Sequence, residues 1–462
     1  MSNATTVVRR TPQRLQSAIA GDVFVPGDPG YDEARRGFFL GVDHRPSVVV
    51  LPESAADVVR AVQFARSQGM RIAPQSTGHG AASVESLDGA MAIKTSRMRR
   101  VEISAATRVA RVEAGANWQD VTVPAAQHGL APLAGTSATV GVAGYTLGGG
   151  IGWLSRRHGL AANSVSAVEV VTVDGRLRRA DAGRNRDLLW AVKGGGGSVG
   201  VVTALEMGLF PVPALYGGVL FFPIERSAQV LGAWRAWVET VPDEVTSVAR
   251  ILRVPPFPEI PDALRGRAFA LVEAAYIGDP LAGAELLRPL RELGPELDTF
   301  AAIAAPALQT LHMDPDEPVA GEAHGALLTD LPTAAIDAVV SLAGPDAHDT
   351  PLSSVEIRHL GGALARDAPG CSAQPKIDAA FAMVAGGLTP TPELRDRVRA
   401  HADAITSALS VWRAGYDYYN FAEAPTEAIA VLPRESYRRL RQIKAQYDPD
   451  EAIISAHPVR PT

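Results

Sequence analysis

The density of glycine in one short region constrains this chain most. Fourteen of its 43 glycines fall between Gly141 and Gly200, including the runs 148–150 and 194–197. Glycine loses more backbone entropy on folding than any other residue, so a protein keeps such clusters where the main chain turns tightly or approaches a ligand. The flanking segments alternate apolar and polar residues, as strands do. The region therefore predicts a cofactor cradle built from backbone.

Size and charge exclude several classes of protein. A length of 462 residues predicts two or three domains. The formal net charge of −6 is spread along the chain, which disfavours binding to nucleic acid or to an anionic membrane. Apolar residues make up 47% and charged residues 20%, a mixture typical of a compact soluble protein and not of a disordered chain.

Neither a targeting signal nor a metal site is visible. Residues 1–16 are polar and basic, with no apolar run after Arg9 and Arg10, and no apolar window is long enough to span a membrane. We therefore expect a cytoplasmic protein. Cys371 is the only cysteine, which excludes an internal disulfide and favours a small, partly buried side chain. The ten histidines lack the spacing of ligands, so we expect no metal.

Local signals predict the order strand, helix, strand and loop near the start of the chain. Ser54 is placed to cap an amphipathic helix that ends at Gly69. Asp174-Gly175 is the strongest hairpin signal in the chain. After the prolines at 211 and 213 the sequence becomes richer in helical stretches, which predicts a second α+β domain.

Two glycine motifs overlap at residues 195–200, and neither has its usual context. GGGSVG matches the G-x-G-x-x-G pattern of nucleotide-binding folds and, through Ser198, the G-x-S-x-G pattern of serine hydrolases. Both patterns follow a strand and open a helix, whereas a helix precedes this segment and a strand follows it. A glycine turn packed closely on a ligand is the plainer interpretation. A serine hydrolase using Ser198 stays a remote alternative, and a helix after the motif would support it.

Longer motifs identify a family. The pieces RPSVVVLPESAADVVRAVQFAR, STGHG, TVGVAGYTLGGGIGWLSRRHGL, VEVVTVDG and NRDLLWAVKGGGGSVGVVT occur in this order over residues 45–210. This run resembles the FAD-binding domain shared by vanillyl-alcohol oxidases and p-cresol methylhydroxylase. The end of the chain, from YYNF at 418–421 through YDPD at 447–450, resembles the C-terminal signature of the berberine bridge enzyme-like family.

The resemblance implies the fold class and the domain organisation. The expected fold is α+β, with a two-subdomain FAD-binding domain of the p-cresol methylhydroxylase type and an α+β substrate domain containing an antiparallel sheet. The expected domains are residues 1–212 for FAD, with a core at 45–212, and residues 213–415 for the substrate. Residues 416–462 are expected to return to the FAD domain.

The resemblance also implies how FAD is held. His79 matches the histidine that is bonded to the flavin 8α carbon in many relatives, and a neutral imidazole suits that chemistry. Ser137 stands where relatives with two linkages have a cysteine, and a hydroxyl is a far poorer nucleophile than a thiolate, so no second bond is expected. The positions assigned to FAD are Gln75, Ser76, Thr77, Gly78, His79, Gly80, Ser137, Thr139, Gly141, Gly144, Gly148, Gly149, Gly150, Gly159, Val201, Val202 and Asn420.

The implied activity is transfer of a hydride to flavin N5 while a base takes the substrate's proton. The family's Y-x-N motif assigns the catalytic tyrosine to Tyr418, and alternation would aim Asn420 at the same face. A tyrosine is more plausibly assisted by a carboxylate than ionised beforehand, and Glu356, on an alternating strand, is the candidate. An ion pair between Glu356 and Arg358 is an equally open interpretation.

The substrate class stays open at this level. An alcohol, a phenol or a polyketide-type secondary metabolite is expected as the substrate. The enzyme is expected to be either an oxidase, with molecular oxygen as the second substrate, or a dehydrogenase. The lightly charged middle domain mildly favours an aromatic or polyketide ligand over a carbohydrate. A flavin-dependent oxygenase that tailors a polyketide by Favorskii-type chemistry is the alternative. The sequence gives no indication of oligomeric state.

Overall fold

The computed structural model describes residues 12–368 and 372–462. Cys371, Arg9 and Arg10 lie outside the described residues. Most described strands form two smaller sheets, built from the first part of the chain, and one large sheet that follows them.

The first sheet mixes parallel and antiparallel pairing. Its strands are β1 (Asp22–Phe24), β2 (Val48–Leu51), β3 (Ile72–Gln75) and β4 (Met91–Lys94). β4 pairs in parallel with β2 and β3, and β1 is antiparallel to β2. The helix Ala55–Ser67 connects β2 to β3, and the Ser54 hydroxyl accepts a hydrogen bond from the Asp57 backbone N–H, which confirms the predicted cap.

The second sheet is antiparallel throughout. Its strands are β5 (Val101–Ser104), β6 (Val109–Glu113), β8 (Val165–Val171), β9 (Leu177–Asp181) and β10 (Val201–Gly208), and a separate pair joins β7 (Leu130–Ala131) to β11 (Phe210–Pro211). The spatial order is β5-β6-β10-β8-β9. β8 and β9 form the predicted hairpin, whose turn places Gly175 at φ 72°.

The large sheet is antiparallel and carries one wall of the candidate site. Its strands are β12 (Leu215–Pro223), β13 (Val245–Arg253), β14 (Ala268–Ile277), β15 (Leu297–Asp298), β16 (Ala301–Ile303), β17 (Gly321–Leu328), β18 (Ser354–His359) and β19 (Phe381–Leu388). The order is β15-β12-β14-β13-β18-β19-β17, and β16 also pairs with β12. Alternate residues of each strand face a core shared with helices, among them Ile251 and Ile357.

The helices cover the sheets and supply that core. The described α-helices are α1 (Tyr31–Arg35), α2 (Ala55–Ser67), α3 (Trp118–Ala126), α4 (Val142–Leu147), α5 (Ser155–His158), α6 (Arg186–Val192), α7 (Ser227–Trp237), α8 (Pro280–Leu286), α9 (Arg288–Arg291), α10 (Thr333–Ala343), α11 (Pro392–Ala408) and α12 (Arg434–Tyr447). α7, α10 and α11 pack their apolar sides on the large sheet.

The end of the chain packs against the first two sheets. Ile453 forms a bridge with Ile72 of β3. Lys444 is buried on α12, where its Nζ donates to the Ser198 carbonyl at 2.7 Å and pairs with Asp448. A buried ammonium needs such partners because an unpaired charge away from water is costly.

The predicted combination of helices with an antiparallel sheet is confirmed. One local prediction is wrong: the segment that holds Tyr418 and Asn420 is not an extended strand. Residues Tyr419–Phe421 form a short 3₁₀ turn. The two side chains still lie close together, because Tyr418 packs against Gly149 and Asn420 packs against the adjacent Gly148.

Candidate active site

A cavity of about 1440 Å³ is lined by the glycine-rich loops, the large sheet and the C-terminal turn. Small-molecule sites usually measure about 300–1000 Å³, so this cavity has room for a large cofactor together with a substrate. The predicted residues that line it are Gln75, Ser76, Thr77, Gly78, His79, Gly80, Ser137, Gly141, Gly144, Val202, Glu356, Tyr418 and Asn420.

His79 lies in the loop that follows β3, with its ring stacked on Phe38 at a centroid distance of 3.7 Å. Its Nε2 is 3.4 Å from the Thr139 hydroxyl, which in turn lies 3.2 Å from the Ser137 hydroxyl. Burial lowers the pKa of His79 to about 4, against a smaller opposing effect of the Thr139 backbone. The imidazole is therefore neutral at pH 7.

Bare backbone faces the cavity beside this loop. At Gly80 and Gly144 a methyl group would meet nothing within 4 Å, and at Gly197 it would meet only one leucine methyl. The Ser76 hydroxyl is buried and has no hydrogen-bond partner. An elongated ligand rich in acceptor oxygens, such as a dinucleotide, would satisfy such groups. The residues present therefore fit the FAD that the sequence predicts.

The glycine run 148–150 lies elsewhere than predicted. A Cβ on Gly148 would come within 1.8 Å of Asn420 Oδ1, and one on Gly149 would come within 2.9 Å of the Tyr418 hydroxyl oxygen. Gly150 packs on a neighbouring aromatic ring. These glycines do not line the cavity; they allow the C-terminal turn to pack directly against backbone.

Three further predicted positions, Gly159, Thr139 and Val201, do not line the cavity. Val201 and Val202 are consecutive on β10, so they face opposite sides of the sheet, and only Val202 faces the cavity. Ser198 is 2% exposed and also lies outside the lining. The strand β10 follows it where a nucleophile elbow requires a helix, so the serine hydrolase alternative is wrong.

Glu356 sits in a buried chain of alternating charges on the large sheet. Arg358 Nε donates to one of its carboxylate oxygens at 2.7 Å, and His312 contacts the other. His312 also pairs with Glu273, which is paired with Arg250 at 2.7 Å. The ion pair between Glu356 and Arg358 is thus present, and Glu356 also borders the cavity, where its catalytic role stays a prediction.

The charges of this chain are fixed by one another. Burial disfavours the Glu356 carboxylate, but Arg358 and His312 outweigh it and hold the pKa of Glu356 well below its usual 4.5. Burial and Arg250 likewise disfavour the His312 imidazolium, yet the surrounding carboxylates, with Glu273 foremost, raise the pKa of His312 to about 9. A positive imidazolium therefore lies between two carboxylates at neutral pH.

Tyr418 is 2% exposed, and its hydroxyl has no hydrogen-bond partner. Burial raises the pKa of Tyr418 well above its usual 10. Its neighbour Asn420 donates from Nδ2 to the Tyr145 carbonyl at 2.9 Å. An unpartnered phenol beside a cavity is available to a ligand.

The titratable residues of the cavity that sequence reasoning missed include Glu423 and His312, and it also missed the aromatic support Phe38. Glu423 lies five residues after Tyr418, so an acidic residue just beyond the Y-x-N motif was an available signal. No sequence signal connects His312 to Glu356, because they meet only through the folding of the large sheet.

Comparison with known proteins places the chain among flavoproteins. Residues 46–181 match the model of an FAD binding domain. The chain is 28% identical to the FAD-linked oxidoreductase YvdP of Bacillus subtilis, over 96% of this chain and 99% of that one. It is 32% identical to (R)-6-hydroxynicotine oxidase of Paenarthrobacter nicotinovorans, over 42% of this chain and 43% of that enzyme. The structure of BBE-like 1 from Physcomitrella patens superposes with a TM-score of 0.84 at 19% identity, covering 98% and 99% of the two chains.

The fold, the glycine-lined cavity and these relatives together identify the protein as an FAD-linked oxidoreductase. The α+β fold with its antiparallel sheets is of the p-cresol methylhydroxylase type, as predicted. The chain is therefore similar over nearly its whole length to FAD-linked oxidoreductases, and it has the fold of a berberine bridge enzyme-like protein.

The described residues contain neither a membrane-spanning helix nor a cluster of metal ligands. No helix within residues 12–368 and 372–462 has the length and apolarity needed to cross a bilayer. In the same part of the chain, no three His, Cys, Asp or Glu side chains come together in a way that could hold a metal ion.

Proposed function

We propose that the protein oxidises a small apolar alcohol, phenol or polyketide-type metabolite with FAD attached through a single bond to His79. The observation that carries this proposal is the neutral imidazole of His79, which borders the same cavity as Tyr418 and Glu356. Attack on the flavin 8α carbon needs an unprotonated ring nitrogen. Stacking on Phe38 fixes the plane of the ring.

A second covalent bond is not part of the proposal. Ser137 borders the cavity near Thr139, but its hydroxyl is a weak nucleophile at neutral pH. Gln75, Thr77 and the open glycines would hold the rest of FAD through backbone and hydroxyl donors.

The residues on the substrate side of the cavity have different roles in the proposed reaction. FAD supplies, when bound, an acceptor for the hydride that leaves the substrate carbon. Tyr418 presents its unpartnered hydroxyl to the substrate oxygen and orients it. Glu356 keeps Arg358 and His312 in place, so that their positive charges favour an oxygen that becomes more negative as its proton leaves.

The apolar lining supports the substrate class. Phe221, Leu252, Val254, Phe257 and Leu264 border the cavity. This apolar part of the lining favours an aromatic or polyketide ligand, because sugar hydroxyls placed against it would lack partners. We infer a role in secondary metabolism in the cytoplasm, as an oxidase that passes the electrons to molecular oxygen or as a dehydrogenase that passes them to another acceptor. A Favorskii-type oxygenation of a polyketide is the second candidate that this lining favours.

Flavin retention after denaturation tests the linkage. Wild-type protein denatured in acid or detergent is expected to keep its flavin fluorescence on the polypeptide, and His79→Ala to release it. Ser137→Ala is the matched control and should keep the flavin bonded. Flavin that washes off the wild type, or stays bonded in His79→Ala, contradicts the linkage.

Reduction of the bound flavin tests the reaction. The yellow band is followed without oxygen in the presence of alcohols, phenols and polyketide fragments, with sugars as the comparison set. Bleaching by aromatic or polyketide compounds supports the proposed substrate class. Faster bleaching by sugars contradicts it. Incorporation of labelled oxygen into the product on re-aeration would identify the oxygenase.

A further inference from the structure

Glu423 is a cavity residue whose carboxyl group has a free oxygen. It lies just after the 3₁₀ turn that holds Asn420, and it borders the same cavity as Tyr418. Its Oε2 is shielded from solvent and has no hydrogen-bond partner. A buried carboxyl oxygen without a partner is uncommon in folded proteins and points to a group that a ligand completes.

Glu356 and Tyr418, the two residues that the sequence assigned to catalysis, are less suited by geometry to take a proton. Both carboxylate oxygens of Glu356 already accept, one from Arg358 and the other from His312. Tyr418 carries its own proton and would have to lose it first. Among these three cavity residues, Glu423 alone combines a carboxyl group with an unengaged oxygen.

We propose that Glu423 is the catalytic base, which takes the proton of the substrate hydroxyl at Oε2 while Tyr418 orients that hydroxyl. This inference rests on the proposed function. The substrate's O–H bond breaks as its proton passes to Glu423, its C–H bond breaks as a hydride passes to FAD, and a C=O bond forms. The substrate loses two electrons, and FAD gains them.

The surroundings of Glu423 give it a proton affinity suited to this role. Burial is the main cause that raises the pKa of Glu423, and the carboxylates of Glu322 and Glu356 add to it. His324 and the Ala323 backbone N–H on β17 act in the opposite direction. The resulting pKa is about 8, so the group exchanges its proton near physiological pH, where a general base is most effective.

The positive charge near Glu423 is already engaged. His324 contacts Glu322 at 3.3 Å and Asp403 at 2.7 Å. Glu322 also accepts from Arg399 at 2.6 Å. The charge of His324 is therefore shared among several carboxylates, and its effect on the pKa of Glu423 is outweighed by burial.

The test compares holoenzymes of the wild type, Glu423→Gln, Glu423→Asp and the control Glu427→Gln. Glu427 is exposed, outside the cavity lining and four residues further along the same segment. Bound flavin and reduction by dithionite establish that each variant is folded and loaded. Infrared spectra from pH 6 to pH 10 follow the carbonyl band of a protonated carboxyl. Anaerobic rapid mixing with para-hydroxybenzyl alcohol, and with the compound that reduces the wild type fastest, gives the rate of flavin reduction.

We expect a protonated carboxyl that titrates near pH 8 in the wild type and in Glu427→Gln, and that is missing in Glu423→Gln. Flavin reduction in Glu423→Gln should be slower by about 10²–10⁴-fold and lose its rise with pH, while Glu423→Asp recovers part of the rate. A wild-type rate and pH profile in Glu423→Gln overturns the proposal, and so does a carboxyl band that is unchanged by this substitution. If no compound reduces the wild-type flavin, the proposed function fails. The infrared band needs no substrate, so it still shows whether Glu423 is protonated near pH 8.

Discussion

Replacing Glu423 with glutamine should change the pH dependence of stability in a direction that the structure fixes. A carboxyl whose pKa is about 8 in the folded protein and 4.5 in the unfolded chain binds more protons when folded. It therefore opposes folding increasingly as pH rises from about 4.5 to 8, and the penalty is constant above that range. Each tenfold change in proton affinity corresponds to about 1.4 kcal/mol. The Glu423 penalty grows by about 4 kcal/mol between pH 5 and pH 9.

Glutamine has nearly the same shape and does not ionise, so this penalty is absent in Glu423→Gln. Urea unfolding at pH 5 and pH 9 gives the free energy of unfolding of both proteins. The other titrating groups are common to both, so their contributions cancel when the difference between variant and wild type is compared at the two pH values. The variant should gain on the order of 4 kcal/mol relative to the wild type on going to pH 9. Glu427→Gln, an exposed substitution, should track the wild type. A gap that stays constant with pH would refute the inferred environment of Glu423.

The other predictions concern the remaining polar residues of the cavity. Tyr418→Phe removes a buried hydroxyl that has no partner, so the free energy of unfolding should stay the same or rise by about 1 kcal/mol. The rate at which the substrate reduces the flavin should fall. A wild-type rate would mean that the phenol takes no part in the reaction. Glu356→Gln leaves Arg358 and His312 without their shared carboxylate, so the free energy of unfolding measured in urea should fall by about 3–5 kcal/mol. An unchanged free energy of unfolding would mean that these charged residues do not stabilise the fold.

Much of the fold was predictable because it depends on local signals. The Ser54 cap, the Asp174-Gly175 hairpin and the strand after residue 200 are each decided by a few neighbouring residues. The glycine cluster likewise predicted a close approach of backbone. The glycine cluster did not indicate which group would approach the backbone. At Gly148 and Gly149 that group is the C-terminal turn and not a ligand.

The charge relations of the site were not predictable from spacing. Glu356 and Arg358 are neighbours on one strand face, so their pairing follows from alternation. His312 and Glu273 belong to distant segments, and their effect on Glu356 exists only after β14 and β18 join the same sheet. Burial without a partner, which sets the proton affinity of Glu423, is a property of the folded chain alone.

Two glutamates in one cavity thus differ in proton affinity because their neighbours differ. Glu356 stays ionised, since Arg358 and His312 hold it, and His312 keeps its proton up to a pKa of about 9. Glu423 loses its proton at about 8. Flavin reduction should therefore rise as pH approaches 8, as the base becomes available, and fall above 9, as His312 becomes neutral and the charge beside the substrate oxygen is lost. Rates measured from pH 6 to pH 10 check this narrow optimum, and a profile flat across that range contradicts both assignments.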